Sequence, residues 1–83
     1  MPLTVVFEIL SPANTHLEMV DKLSFYDEHG VEEYYVYDPD TGRLLIYLRG
    51  VEALRRIYKT QGFVSPRLGI RFDTSGPEMA VYG

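Results

Sequence analysis

The chain contains no cysteine, so neither a disulfide framework nor a thiolate metal site is available to it. Histidine is scarce as well. His16 and His29 lie too far apart to make a ligating spacing, and both read as cap or surface residues. No apolar run approaches the ~20 residues of a membrane span. The amino terminus shows neither the basic start nor the small-residue cleavage site of a signal peptide. These absences give the expectation of a cytoplasmic, reducing location, with no membrane and no small-molecule cofactor. With 46% hydrophobic and 24% charged residues the composition is that of a globular protein, not a disordered one. Its 83 residues allow one domain with a modest core, so 1–83 is read as a single domain.

What is present is unevenly distributed. The formal net charge is -4, yet residues 1–42 hold nine acids against one base, Lys22. Residues 43–83 hold seven bases (Arg43, Arg49, Arg55, Arg56, Lys59, Arg67, Arg71) against three acids. Such a split can form a face for an anion such as nucleic acid. Solvated strand and loop faces, with head-to-tail attraction in a dimer, are the commoner outcome and the preferred reading.

Leu3–Leu10 is nearly continuous apolar and β-branched, the pattern of a strand covered on both faces. Ser11-Pro12-Ala13-Asn14 ends it. Thr15 with Glu18 forms a capping box that starts a helix near His16, and His29-Gly30 closes that helix with a left-handed cap. On the helical wheel Met19, Val20, Leu23 and Tyr26 make one apolar stripe, with Lys22 beside Tyr26 at its border. Val31–Asp38 reads as the next strand, parallel to the first across the helical crossover. Asp38-Pro39-Asp40-Thr41-Gly42 is a turn, and Arg43–Leu48 returns as an antiparallel strand. Ala53–Lys59 is a further strand or a short helix. Leu68–Phe72 and Met79–Tyr82 read as short strands. The fold class is α/β: a mixed sheet with one main helix, in the order β-α-β-β followed by short strands. The first strand asks for cover that nothing before it supplies, so a homodimer or higher homo-oligomer is expected.

The one ionisable residue of the first strand is Glu8. It lies two residues before Leu10, about 7 Å back along the strand. Lys22 is six residues into the helix, about 9 Å along its axis. The helix runs back over the strand, so the two side chains arrive at the same level. A carboxylate in an apolar strand is costly unless paired or metal-bound. The pair is therefore either a structural ion pair that fixes helix docking, or a metal-binding acid with a lysine that orients an attacking water. Ser11 has no base at a recognisable spacing, so a nucleophilic serine is not expected. Asp38 and Asp40 belong to a turn and lack the twelve-residue calcium pattern. Tyr34, Tyr35 and Tyr37 could stack on bases, but alternating strand aromatics are read as packing.

The run Val6-Phe7-Glu8-Ile9-Leu10-Ser11-Pro12, then Lys22, Tyr26, Gly30-Val31-Glu32-Glu33-Tyr34-Tyr35 and Asp38-Pro39, resembles the Uma-type putative restriction endonucleases, a bacterial branch of the PD-(D/E)XK nuclease superfamily. The match is good from Val5 to about Asp40 and covers the carboxy-terminal half of the usual domain. The resemblance implies a restriction-endonuclease-like core and Mg²⁺-dependent phosphodiester hydrolysis with DNA as partner. It assigns Glu8 as metal-binding acid, the Ile9 main-chain carbonyl as its helper, and Lys22 as catalytic base or water-orienting cation. The family's aspartate, four residues before the glutamate, is Thr4 here. A hydroxyl is a poor substitute for a carboxylate on a hard cation. Hydrolysis by this chain is accordingly expected to be weak or lost. The alternative is a non-catalytic remnant, a homo-oligomeric interaction or regulatory module in which Glu8–Lys22 is structural.

Overall fold

In a computed structural model, residues 4–11, 16–76 and 79–83 are described. They form β1 (Val5–Ile9), α1 (His16–Glu28), β2 (Glu33–Asp38), β3 (Arg43–Arg49), β4 (Leu54–Ile57), β5 (Arg71–Asp73) and β6 (Ala80–Tyr82). The first four strands make a sheet in the order β1-β2-β3-β4, and β5 and β6 form a separate hairpin. β1 pairs parallel with β2, in the register Val6↔Tyr34 and Glu8↔Val36. The β2–β3 and β3–β4 pairs are antiparallel. The expected mixed α/β architecture is what the chain adopts.

The helix ends as its sequence dictates. Gly30 takes φ +74°, and its N–H donates to the Asp27 carbonyl at 3.2 Å. The Val31 N–H reaches the Tyr26 carbonyl at 3.1 Å, which completes a Schellman cap. The His29 ring stacks on Phe25, and its Nδ1 lies 2.8 Å from the Phe25 carbonyl oxygen. That histidine is a cap residue, as read. Thr15, the first half of the capping box, and the Pro12–Asn14 turn lie outside the described residues.

Burial divides by strand parity, because alternate side chains leave a sheet on opposite faces. One face carries Tyr34 and Val36 under α1, joined by Val6, Leu10, Met19, Leu23 and Tyr26. The other carries Tyr35, Leu44 and Ile46, closed by Phe72 from the hairpin and by Phe63 and Ile70. β2 is thus the central strand, buried on both sides. Tyr34 and Tyr35 are packing residues, as expected, at 2% and 0% exposure.

Within the chain β1 lacks the second cover that its pattern asks for: Phe7 and Ile9 are 42% and 67% exposed on the hairpin side. Phe7 does reach Tyr35 and Phe72, with ring centroids 6.0 and 6.1 Å away, but the small hairpin layer stops there. The Ala53–Lys59 ambiguity resolves as a strand, shortened to Leu54–Ile57 by its pairing with β3. The strand expected at Leu68–Phe72 begins only at Arg71. Residues 65–69 form a turn instead, in which the Gly69 N–H donates to the Ser65 carbonyl at 2.9 Å and Gly69 takes φ +68°.

That turn is fastened to the sheet by a buried acid. Glu33 is 2% exposed and accepts from the Tyr35 hydroxyl at 2.6 Å, from the Ser65 hydroxyl, and from the Arg67 N–H at 2.9 Å. At the same end of the sheet, Arg49 of β3 holds the end of α1. Its guanidinium donates to the Asp27 carboxylate and to the Val31 carbonyl at 2.8 Å, while Asp27 also accepts the Leu54 N–H at 3.1 Å.

Glu33→Ala should take from the Tyr35 and Ser65 hydroxyls and the Arg67 N–H the acceptor they share. The expected loss is about 2–4 kcal/mol of stability, read as a fall in the thermal midpoint of roughly 10 °C or more. A loss below about 1 kcal/mol would show that the carboxylate does not hold the second layer.

Candidate functional site

Glu8 leaves β1 on the α1 side, in register with Val36 and one pair along from Val6↔Tyr34. Lys22 and Tyr26, one helical turn apart, descend on it from above. Glu8 Oε1 accepts the Tyr26 hydroxyl at 3.1 Å, and Oε2 accepts the Tyr34 hydroxyl at 3.1 Å. Lys22 Nζ lies 3.3 Å from Oε2. The Glu8 side chain is 18% exposed and that of Lys22 47%, so the cluster opens to solvent at its lysine end. The expected meeting of Glu8 and Lys22 at one level is what the fold produces.

Two partners of the pair carry no local motif: the hydroxyl of Tyr26, beside Lys22 on the wheel, and the hydroxyl of Tyr34, whose strand alternation points to packing before base stacking. The signal was present in strand parity, since the parallel register sets Tyr34 on the same face as Glu8 and next to it.

Both hydroxyls sit beside a carboxylate in partly dry surroundings. Burial pushes the Tyr34 phenol well above its ordinary value, and the Glu8 charge and hydrogen bond add to that. Tyr26 is raised for the same reasons, burial first and Glu8 second. Across the sheet Tyr35 is raised too, by burial and then by its hydrogen bond to Glu33. All three remain protonated donors at neutral pH.

Thr4 precedes β1. Its carbonyl accepts the Glu32 and Glu33 N–H groups, each at 3.0 Å, which anchors the start of the strand. By parity it shares the face of Glu8, about 13 Å of strand away, and brings no carboxylate. Ile9 turns its side chain to solvent. The Leu10 N–H and the Thr4 carbonyl both point at β2, which leaves Val5, Phe7 and Ile9 with their peptide groups on the free edge.

This arrangement does not fit a divalent cation by itself. Among the described residues no group of three or more His, Cys, Asp or Glu converges. Glu8 is a lone carboxylate whose neighbours are two protonated hydroxyls and an ammonium, donors rather than ligands. On the same side of the sheet, a cavity of about 240 Å³ lies between α1 and β3, lined by Met19, Leu23, Leu45 and Tyr47 with Arg43 and Arg56. Arg56 Nε is buried there without a hydrogen-bond partner, and its guanidinium lies 4.7 Å from the Tyr58 ring centre. The basic second half of the chain therefore reaches the face that carries Glu8. No helix among the described residues is long and apolar enough to cross a membrane.

Residues 2–78 match the family model Uma2, putative restriction endonuclease, which extends the resemblance beyond Asp40 to almost the whole chain. No curated protein matches the sequence.

The three raised tyrosines set a pH dependence. A group whose folded pKa is raised contributes stability fully below its unfolded value near 10 and loses it as pH climbs towards the folded value. Ultraviolet titration should therefore find Tyr34 and Tyr35 still protonated at about pH 11 while the far-ultraviolet spectrum stays native. They should ionise together with alkaline unfolding. Full ionisation of all seven tyrosines in the folded protein would contradict the hydrogen-bonded positions given to Tyr34 and Tyr35.

Proposed function

From the premise that the chain belongs to the Uma2 family of putative restriction endonucleases, we propose that it is a nuclease-type domain carrying half of a phosphodiester-cleaving site, with little or no hydrolysis by itself. The observation that carries this reading is the isolation of Glu8: one carboxylate, 3.3 Å from the Lys22 ammonium, with no second acid beside it among the described residues. In the complete site of such a nuclease, Mg²⁺ would supply charge neutralisation and an activated water. Here Glu8 is the carboxylate that would face it, helped by the Ile9 carbonyl only if the free edge of β1 stays open, and Thr4, about 13 Å of strand away, supplies no second carboxylate.

The chain's own contribution is positional. Tyr26 and Tyr34 hydrogen-bond the two Glu8 oxygens and fix its rotamer, and Glu8 holds Lys22 at the solvent rim. An ammonium has three hydrogens, so with one spent on Glu8 the others can meet a phosphate oxygen or orient a water. Arg43 and Arg56 on the same face supply charge for a nucleic-acid backbone.

A second reading, a non-catalytic homo-oligomeric module with a structural Glu8–Lys22 pair, is supported by one specific fact. Both Glu8 oxygens are already hydrogen-bonded within the chain.

Nicking of supercoiled plasmid in Mg²⁺ or Mn²⁺, with Glu8→Gln as control, tests the proposal. The wild-type rate should lie within about twofold of the variant. A wild-type rate about tenfold or more above it would overturn the half-site reading and show a working nuclease. Duplex DNA binding should weaken steeply with salt, and further in Arg43→Glu and Arg56→Glu. Salt-independent binding, or binding unchanged in both variants, would remove the phosphate contact from the proposal.

A further inference from the structure

β1 is an edge strand among the described residues, and its one charge, Glu8, turns to the α1 face, where Lys22 pairs it. Its five residues, Val-Val-Phe-Glu-Ile, include no proline, no lysine and no bulge. Val5, Phe7 and Ile9 turn three N–H groups and three carbonyls outward. On the hairpin side, the Phe7 and Ile9 side chains stand exposed beside them. Unpaired peptide groups in a row are a template for another strand, and the exposed apolar positions call for one that covers them.

The outward residues alternate, 5-7-9, and are symmetric about Phe7. An antiparallel copy of the same strand, centred there, sets Phe7 opposite Phe7 and Val5 opposite Ile9. Each such pair exchanges two N–H···O bonds, so three pairs satisfy every outward group of both strands with none left over. On the hairpin side the match is apolar against apolar. On the α1 side Val6 falls opposite Glu8, which avoids placing like charges directly across from each other.

We propose that this chain forms a homodimer in which β1 pairs with β1 of a second copy about a two-fold axis through Phe7, joining the two sheets into one eight-stranded sheet. The occupant is a second copy rather than an unrelated strand because the hydrogen-bond register and the side-chain pairing are both self-complementary. Phe25, one helical turn from Lys22, is a further exposed apolar side chain at 54%. The two Glu8 residues then lie on one face, a diagonal apart, at about 7–8 Å between Cβ atoms. The proposal does not depend on any hydrolytic role for them.

A single cysteine tests it cleanly, because the chain has none. Opposed residues of a hydrogen-bonded antiparallel pair have Cα atoms about 5.5 Å apart, inside the range a disulfide spans. Under mild oxidation Phe7→Cys should convert mostly to a covalent dimer, while Val51→Cys, at a fully exposed turn, should not. Sedimentation of the wild type should give twice the 9.5 kDa chain mass. Ile9→Lys, which places a charge at an already exposed edge position, should raise the dimer dissociation constant at least tenfold, about 1.4 kcal/mol, with unchanged circular dichroism. A wild type that is monomeric at about 100 μM would overturn the proposal, as would Ile9→Lys with an unaltered dimer. Cross-linking of Val51→Cys as fast as Phe7→Cys would overturn it too. Should Phe7→Cys fail to fold, having lost its stacking on Tyr35 and Phe72, the wild-type and Ile9→Lys masses decide the matter alone.

Discussion

Two adjacent tyrosines in β2 impose the constraint on which everything else is arranged. A strand buried on both faces must send consecutive side chains into opposite layers, and here those side chains are Tyr34 and Tyr35. Each ends in a hydroxyl that cannot be left unpaired in an apolar interior. Each finds a carboxylate: Tyr34 meets Glu8 under the helix, and Tyr35 meets Glu33 under the hairpin layer. The two acids then fix their own surroundings. Glu8 draws in Lys22 and Tyr26 and so sets the docking of α1, while Glu33 draws in Ser65 and the Arg67 peptide and so sets the 65–69 turn. The central strand thereby organises both layers through polar ends on apolar bodies.

The same arrangement explains why the candidate site can be read two ways. Glu8 is the acid of the proposed half-site, yet its hydrogen bonds are those of a satisfied structural carboxylate. A buried acid paired only with lysine would be a doubtful contributor to stability. With two phenolic donors added, the desolvation cost of its charge is met by hydrogen bonds to that charge. Lys22, half-exposed, is the adaptable member of the group. Chemistry at this face therefore depends on what is brought to the rim, since the interior side of Glu8 is already committed.

Most of the strand–helix–strand unit could be read from the sequence because its signals are local. Gly30 marks the helix end, the 38–42 turn has the right residues, and the wheel puts Lys22 at the sheet-facing border. The level meeting of Glu8 and Lys22 followed from strand and helix rise alone. What could not be read was set by partners distant in the chain. Glu33 stands next to Glu32 in the sequence, and only strand parity separates the buried acid from its neighbour. Its donors, Ser65 and the Arg67 peptide, come from a loop whose conformation no periodicity announces. The open side of β1 has a related cause. An apolar run states what a strand could bury, but the extent of the opposing layer decides what it does bury, and the β5–β6 hairpin is too small to reach Ile9.

The parallel pairing of β1 with β2 has a kinetic side. β2, β3 and β4 follow one another through tight turns, so their ladder closes over short loops. β1 pairs with β2 only across the whole of α1, so its contact closes a longer loop at a greater entropic cost. Loop-closure entropy therefore favours assembly from the local meander outward to the helix and the edge strand. Amide exchange should mirror that order in reverse, with the slowest protons in β2 and β3 and the earliest opening at β1. The Glu8 cluster thus sits on the seam between the first-formed and last-formed parts of the fold, where a ligand or a neighbouring strand gains most by holding the chain closed.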